Sequence, residues 1–131
     1  MKIAVVTDDG KTICQHFGRA SYYLVATVGN GRVTATELRE KPGHRQFSQE
    51  PKHEEHHHGH GEDAHSHGKH VQMADVIQDC QVIITGGMGM GAYESLRQLN
   101  ITPVVTDLTE IDSAIQAYLD GKLINLTDRL H

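Results

Sequence analysis

Residues 81–106 read "QVIITGGMGMGAYESLRQLNITPVVT", and this stretch decides the fold class. "QVIIT" (81–85) is a short β-branched run, the pattern of a strand buried on both faces. "GGMGMG" (86–91) is a turn. "AYESLRQLN" (92–100) reads as a helix, with Ala92, Leu96 and Leu99 on one face. "TPVVT" (102–106) is a second strand. Pro103 lies near its start and suits an edge position, because proline cannot donate to an inner ladder. Strand, turn, helix and strand in this order form a crossover unit with parallel strands, which predicts an α/β fold.

Elements on both sides extend the same sheet. "KIAVVT" (2–7) is a buried strand stopped by "DDG". "YYLVATV" (22–28) and the alternating "RVTATEL" (32–38) flank "GNG" (29–31), a hairpin signal. "HVQMADVIQDC" (70–80) repeats Val71, Ala74 and Ile77 at helical spacing, with Met73 alongside. "TEID" (109–112) matches a capping box before a last helix, and Gly121 fits the residue just past its end. The expected order is β-β-β-α-β-α-β-α, giving a mixed five-stranded sheet with helices on its faces.

The chain has 131 residues and reads as a single domain, 1–131, with one modest core. Apolar residues make up 37%. The deficit is local: from Pro42 to Lys69 the only large apolar side chain is Phe47. The segment from Arg39 to Lys69 has no apolar periodicity, so a loop insertion is expected at about 40–69. Net charge is −5 without a basic stripe, so nucleic acid is not an expected partner. No stretch approaches the ~18 apolar residues of a membrane span. "MKIAVVTDDG" is too short an apolar run for a signal peptide. The two cysteines, Cys14 and Cys80, make no disulfide framework. A cytoplasmic protein is the expectation.

Two short motifs carry chemistry. In "CQHFGR" (14–19) an extended backbone would turn Cys14 and His16 to one side, and thiolate and imidazole both ligate zinc, copper or iron. Phe17 would anchor the loop, Gly18 would permit an unusual backbone angle, and Arg19 would hold an anion. The alternative is a packed strand entry with an incidental thiol, and C-x-H spacing alone favours it. In the glycine loop, Gly86, Gly87, Gly89 and Gly91 allow a ligand close to the backbone, and the next helix offers free N–H groups to an anion. Met88 and Met90 add soft sulfur there, or simply pack. Gly87, Gly89 and Ala92 also fit a dinucleotide fingerprint, with Asp107 about 20 residues on. That motif normally opens a longer βαβ array than the one remaining here. Cys80 is expected in the core. Asp8, Asp9 and Asp107 lie near strand ends, but a nuclease would need a convergent carboxylate set.

The insertion contains "KHEEHHHGHGEDAHSHGKH" (52–70). Its candidate metal ligands are His53, His56, His57, His58, His60, His65, His67 and His70. Imidazole suits zinc, nickel and copper, and the interspersed glycines favour a loose, multi-site arrangement. The alternative is a solvated, variable loop.

The segments "VVTDDGKTICQHFGRASYYLV" (5–25), "VIITGGMGMGAYESLRQLNITPV" (82–104) and "IDSAIQAYLDGKL" (111–123) resemble the dinitrogenase iron–molybdenum cofactor biosynthesis family, the NifX-like and NifB C-terminal domain. The resemblance spans nearly the whole chain outside roughly 40–69. It implies a ribonuclease-H-like α/β fold with strand order 3-2-1-4-5 and no nuclease activity, and no catalytic residue is expected. Family members bind, carry or store iron–sulfur or molybdenum–iron–sulfur clusters or their precursors. The resemblance implies His16 as a cluster contact, with Gly86, Gly87, Gly89 and Gly91 as the family's glycine loop. Cys14 and Arg19 would assist. Metallocluster donor and acceptor proteins are the implied partners. The histidine-dense insertion departs from the family pattern. Three readings therefore stand: a non-enzymatic cluster carrier, a sink or sensor for nickel, zinc or copper ions using the insertion, and a nucleotide-binding enzyme on the glycine loop.

Overall fold

The computed structural model describes residues 1–41 and 74–130. Its five strands are β1 (Lys2–Thr7), β2 (Tyr22–Gly29), β3 (Arg32–Glu40), β4 (Val82–Thr85) and β5 (Thr102–Val105). They form one sheet in the order β3-β2-β1-β4-β5. β1 lies at the centre, antiparallel to β2 and parallel to β4, while β4 and β5 are parallel. The mixed sheet and its order are those expected. β5 is an edge strand, as Pro103 required.

The alternation of side chains along β1 explains the two-layer core. Ala4 and Val6 face helix α1 (Met90–Gln98), joining Tyr23, Ile83, Met88 and Leu96. Ile3 and Val5 face helix α2 (Ile111–Leu119), joining Ile84, Val104, Ile111 and Ile115. A strand covered on both sides must be apolar at every position, and each buried Val, Leu or Ile contributes about 1.5–3 kcal/mol before entropy is counted.

The β2–β3 hairpin closes through Asn30 (φ 55°) and Gly31 (φ 78°), the two left-handed residues that a tight hairpin needs. Both helices end in a Schellman arrangement. For α2, Gly121 N–H bonds Tyr118 O and Lys122 N–H bonds Ala117 O, so Gly121 holds the expected terminating position. For α1, Asn100 (φ 66°) takes that role, with Ile101 N–H on Leu96 O.

Four local expectations are corrected. Leu99 lies just past the last helical residue and is 37% exposed; Ser95 is buried beside Ala92 and Leu96 instead. The capping box at 109–112 does not form. Glu110 is the N-cap and makes no side-chain cap. Thr109 O accepts the Ile13 N–H, and Thr12 bridges to Glu110, so pairing with the 11–13 loop fixes this backbone. Arg39 and Glu40 continue β3 instead of opening the insertion. Arg39 binds the Asp79 carboxylate through two nitrogens (2.8 and 3.0 Å) and the Val76 carbonyl, which holds it in the sheet. Gly91 belongs to the first turn of α1, not to the loop before it. Residues 74–79 form a helical turn that buries Ala74 and Ile77; Val71 and Met73 of the expected helix lie outside the described residues. Cys80 is buried in the core as expected.

Two carboxylates make this fold acid-sensitive. The Thr12 and Lys11 N–H groups hold Asp9 well below the usual carboxylate range. The Arg39 guanidinium, then Lys2, does the same for Asp79. A depressed folded pKa stabilises above the unfolded value near 4 and loses that stabilisation as pH falls towards the folded value. The urea midpoint should therefore be flat from pH 7 to about 5 and fall steadily below about 4. Asp79→Asn should shrink that fall. Identical midpoints at pH 5 and pH 3 would contradict this assignment.

Candidate functional site

The site is built where two loops meet above the C-terminal ends of β1 and β4. After β1, the chain turns at residues 8–13. Asp9 accepts the Lys11 and Thr12 N–H groups (2.9 and 2.8 Å), and Thr7 Oγ1 accepts the Gly10 N–H while donating to Thr12 O (2.7 Å). This turn sends residues 14–17 back across the sheet. Cys14 N–H bonds Val6 O (2.9 Å), Gly86 N–H bonds Cys14 O (3.0 Å) and Phe17 N–H bonds Gly87 O (2.9 Å). "CQHF" is thus sewn to β1 on one side and to the glycine loop on the other. Phe17, 3% exposed, anchors it as expected. The Lys41 ammonium lies 4.7 Å from the Phe17 ring centroid, and Tyr23 packs against the same ring.

This contact explains two of the glycines. Neither Gly86 nor Gly87 has a left-handed φ. A Cβ on Gly86 would meet Gln15 Cα at 2.9 Å, and one on Gly87 would meet Gln15 O at 2.7 Å. Their purpose is close approach, and the approaching group is the chain's own loop. The space in which a pyrophosphate would meet the first fingerprint glycine, Gly87, is therefore filled. Gly18 also differs from expectation. It lies in a short 3-10 turn (Phe17–Arg19) without a left-handed φ, and open space surrounds its Cβ position.

Cys14 and His16 do not share an environment. Cys14 is half-buried against the α1-side core, and its thiol donates to the His16 carbonyl (3.4 Å). Burial pushes the Cys14 thiol up, with Asp8 adding to the shift, so the protonated form prevails at neutral pH. His16 and Arg19 are exposed. Extended geometry at His16 is immediately followed by the 3-10 turn, which breaks the simple alternation read from sequence. Next to them in the clasp, α1 begins at Gly89 with no side-chain cap and with Met90 and Gly91 exposed, so no side chain occupies its first N–H groups. Met88 is 1% exposed and packs in the core, while Met90 is exposed at the helix start.

The three aspartates do not converge. Asp8 accepts the Ser21 N–H (2.8 Å), Asp9 organises its turn, and Asp107 is exposed beyond β5. Among the described residues no group of three or more His, Cys, Asp or Glu is placed to hold a metal ion. His53, His56, His57, His58, His60, His65, His67 and His70 lie outside the described residues. Sequence reading missed Gln15, Lys41 and Arg129, whose Nη1 donates to Gly86 O at 3.4 Å. Tertiary pairing brings Lys41 and Arg129 to the site, and it alone sets Gln15, inside the quoted motif, against the glycines, so no local periodicity could have marked them.

A mixed five-stranded α/β domain whose glycine loop is clasped by the loop after its first strand defines a class of small domain. The chain belongs to the dinitrogenase iron–molybdenum cofactor family, whose sequence profile matches residues 1–121. It is 27% identical over 125 residues to the uncharacterized protein MJ0580 of Methanocaldococcus jannaschii, covering 94% of this chain and 89% of that one. Among solved structures it is similar to PH0822, with TM-score 0.67, 22% identity and 98% of each chain covered. It is also similar to the apo form of the orange protein from Desulfovibrio gigas, with TM-score 0.65, 23% identity and coverage of 93% and 89%. At these identities the structural likeness shows the fold. Family membership gives a role related to the iron–molybdenum cofactor. Among the described residues, no helix is long and apolar enough to cross a membrane.

Proposed function

We propose that the protein binds and carries a metal–sulfur cluster or its precursor, of iron–sulfur or molybdenum–iron type, between a donor and an acceptor protein, without catalysing a reaction itself. The observation that carries this reading is the clasp. The loop presenting His16 is hydrogen-bonded to Gly86 and Gly87 directly before the uncapped N-terminus of α1. An exposed imidazole supplies a ligand, and N–H groups with Arg19 supply partial positive charge to an anionic sulfido cargo. Gly89 and Gly91 lie at the N-cap and in the first turn of α1, beside those N–H groups. Cys14 can add a thiolate only after losing its proton, so its contribution grows with pH.

Anaerobic reconstitution with iron and sulfide, with and without molybdate, tests the proposal. The wild type should gain cluster absorbance, and His16→Ala should lose most of it while melting within about 2 °C of wild type, because His16 is exposed. Wild-type protein that gains no absorbance would end the cluster reading. The second reading is an ion sink for nickel, zinc or copper, and it rests on the eight histidines of residues 52–70.

A further inference from the structure

The family match ends at residue 121, yet the following tail has a path fixed by the fold. Asn125 clamps it to β5: its Oδ1 accepts the Val105 N–H (2.9 Å) and its Nδ2 donates to Pro103 O (3.2 Å). Leu126 N–H then bonds Val105 O (2.8 Å), so the tail lies along the outer edge of β5. Leu126 and Leu130 pack on the α1-side core. Between them a 3-10 turn, Thr127–Arg129, aims the chain back towards the glycine loop. There Arg129 reaches the carbonyl of Gly86, the residue whose N–H holds Cys14.

Arg129 is exposed, and a guanidinium has five N–H donors, of which Gly86 takes one. Two other basic residues border the neighbouring Phe17 turn, Arg19 exposed and Lys41 buried. Arg19 ends the turn that Phe17 anchors, and Lys41 stacks on the Phe17 ring. In a chain of net charge −5, the tail therefore places an exposed guanidinium directly on the glycine loop. Among the described residues, Asp128 adjoins Arg129 in sequence, and Asp8 is bound to the Ser21 N–H.

We propose that Arg129 is a recognition residue for anionic thiometallate cargo, delivered to the glycine loop by a tail outside the family-matched residues. This rests on the cluster-carrier reading and names the charge class its site selects. A planar, always-charged fork suits a polyanion with several acceptor atoms, and its contribution is weakened by salt.

The test is anaerobic titration with tetrathiomolybdate at low and high salt, using wild type, Arg129→Lys, Arg129→Gln and Arg129→Ala. Arg129→Ala should weaken binding about tenfold at low salt, the order of one charge-assisted bond, and flatten the salt dependence. Arg129→Lys should recover part of the affinity. Arg129→Gln, polar but uncharged, should not. Rescue by glutamine, or wild-type affinity in Arg129→Ala, would show that Arg129 only fastens the tail, and the proposal would fail while the carrier reading stood. Wild-type protein without saturable tetrathiomolybdate binding would remove this proposal, while loading with iron and sulfide decides the carrier reading separately.

Discussion

Gly87→Ala should melt roughly 8 °C below the wild type and lose cluster binding, while Gly18→Ala should change neither. Both glycines lie in motifs that a sequence reader would single out, yet they meet opposite surroundings. At Gly87 the new methyl would sit 2.7 Å from Gln15 O. That oxygen cannot simply move. Gln15 is flanked by Cys14 O, which accepts the Gly86 N–H, and by Phe17 N–H, which donates to Gly87 O. Relief requires breaking one or both bonds or shifting Phe17 in the core. Overpacking typically costs about 1–3 kcal/mol, and each lost hydrogen bond costs about 1 kcal/mol. The lower unfolded-state entropy of alanine returns only about 0.4–1 kcal/mol. The net is a loss of about 2 kcal/mol, together with displacement of the loop that presents His16. At Gly18 nothing lies within 4 Å and the backbone angle is ordinary, so alanine fits. Thermal melts and anaerobic reconstitution of the two variants check both halves. A Gly87→Ala protein that melts and loads like wild type would mean the clasp is not what the glycines serve.

The contrast also shows where sequence reading reaches and where it stops. The sheet was legible because a strand covered on both faces leaves an unbroken apolar run, as in "KIAVVT" and "QVIIT". The hairpin was legible because Asn30 and Gly31 are the residues that tolerate left-handed angles. Gly121 was legible for the same reason. The capping box failed because Thr109 and Glu110 pair with residues 12 and 13, nearly a hundred positions away, and tertiary pairing overrode the local signal. Arg39 was lost to the insertion because its partner Asp79 lies beyond it. The site followed the same rule. The glycines could be named from sequence, but not what fills the space beside them. Gln15 lies between Cys14 and His16, yet nothing in that motif marks its backbone as the group that meets Gly86 and Gly87, because that contact exists only where β1 and β4 are adjacent.

Deleting residues 52–70 should separate the two metal readings, and it should change the amount of bound ion more than any single substitution. The tract supplies eight imidazoles, and those not held in a folded site bind nickel or zinc in their neutral form, so uptake should fall steeply below about pH 6.5. The wild type should bind several nickel ions per chain at neutral pH, and the deletion should lose nearly all of them in calorimetric titration. The clasp needs none of these residues. Its backbone bonds join Val6, Cys14, Phe17, Gly86 and Gly87, and its turn is tied to Thr109. Cluster loading and the melting temperature should therefore survive. Lys41, the last described residue before the insertion, sits against Phe17, so the chain sets out for the tract from beside the clasp. That adjacency gives the experiment its force. If the deletion keeps the cluster and loses the nickel, the chain carries two independent metal functions. If it loses both, the tract belongs to the cluster site, and the clasp alone is insufficient. If nickel binding persists undiminished, the histidines are not the ion ligands, and the sink reading falls.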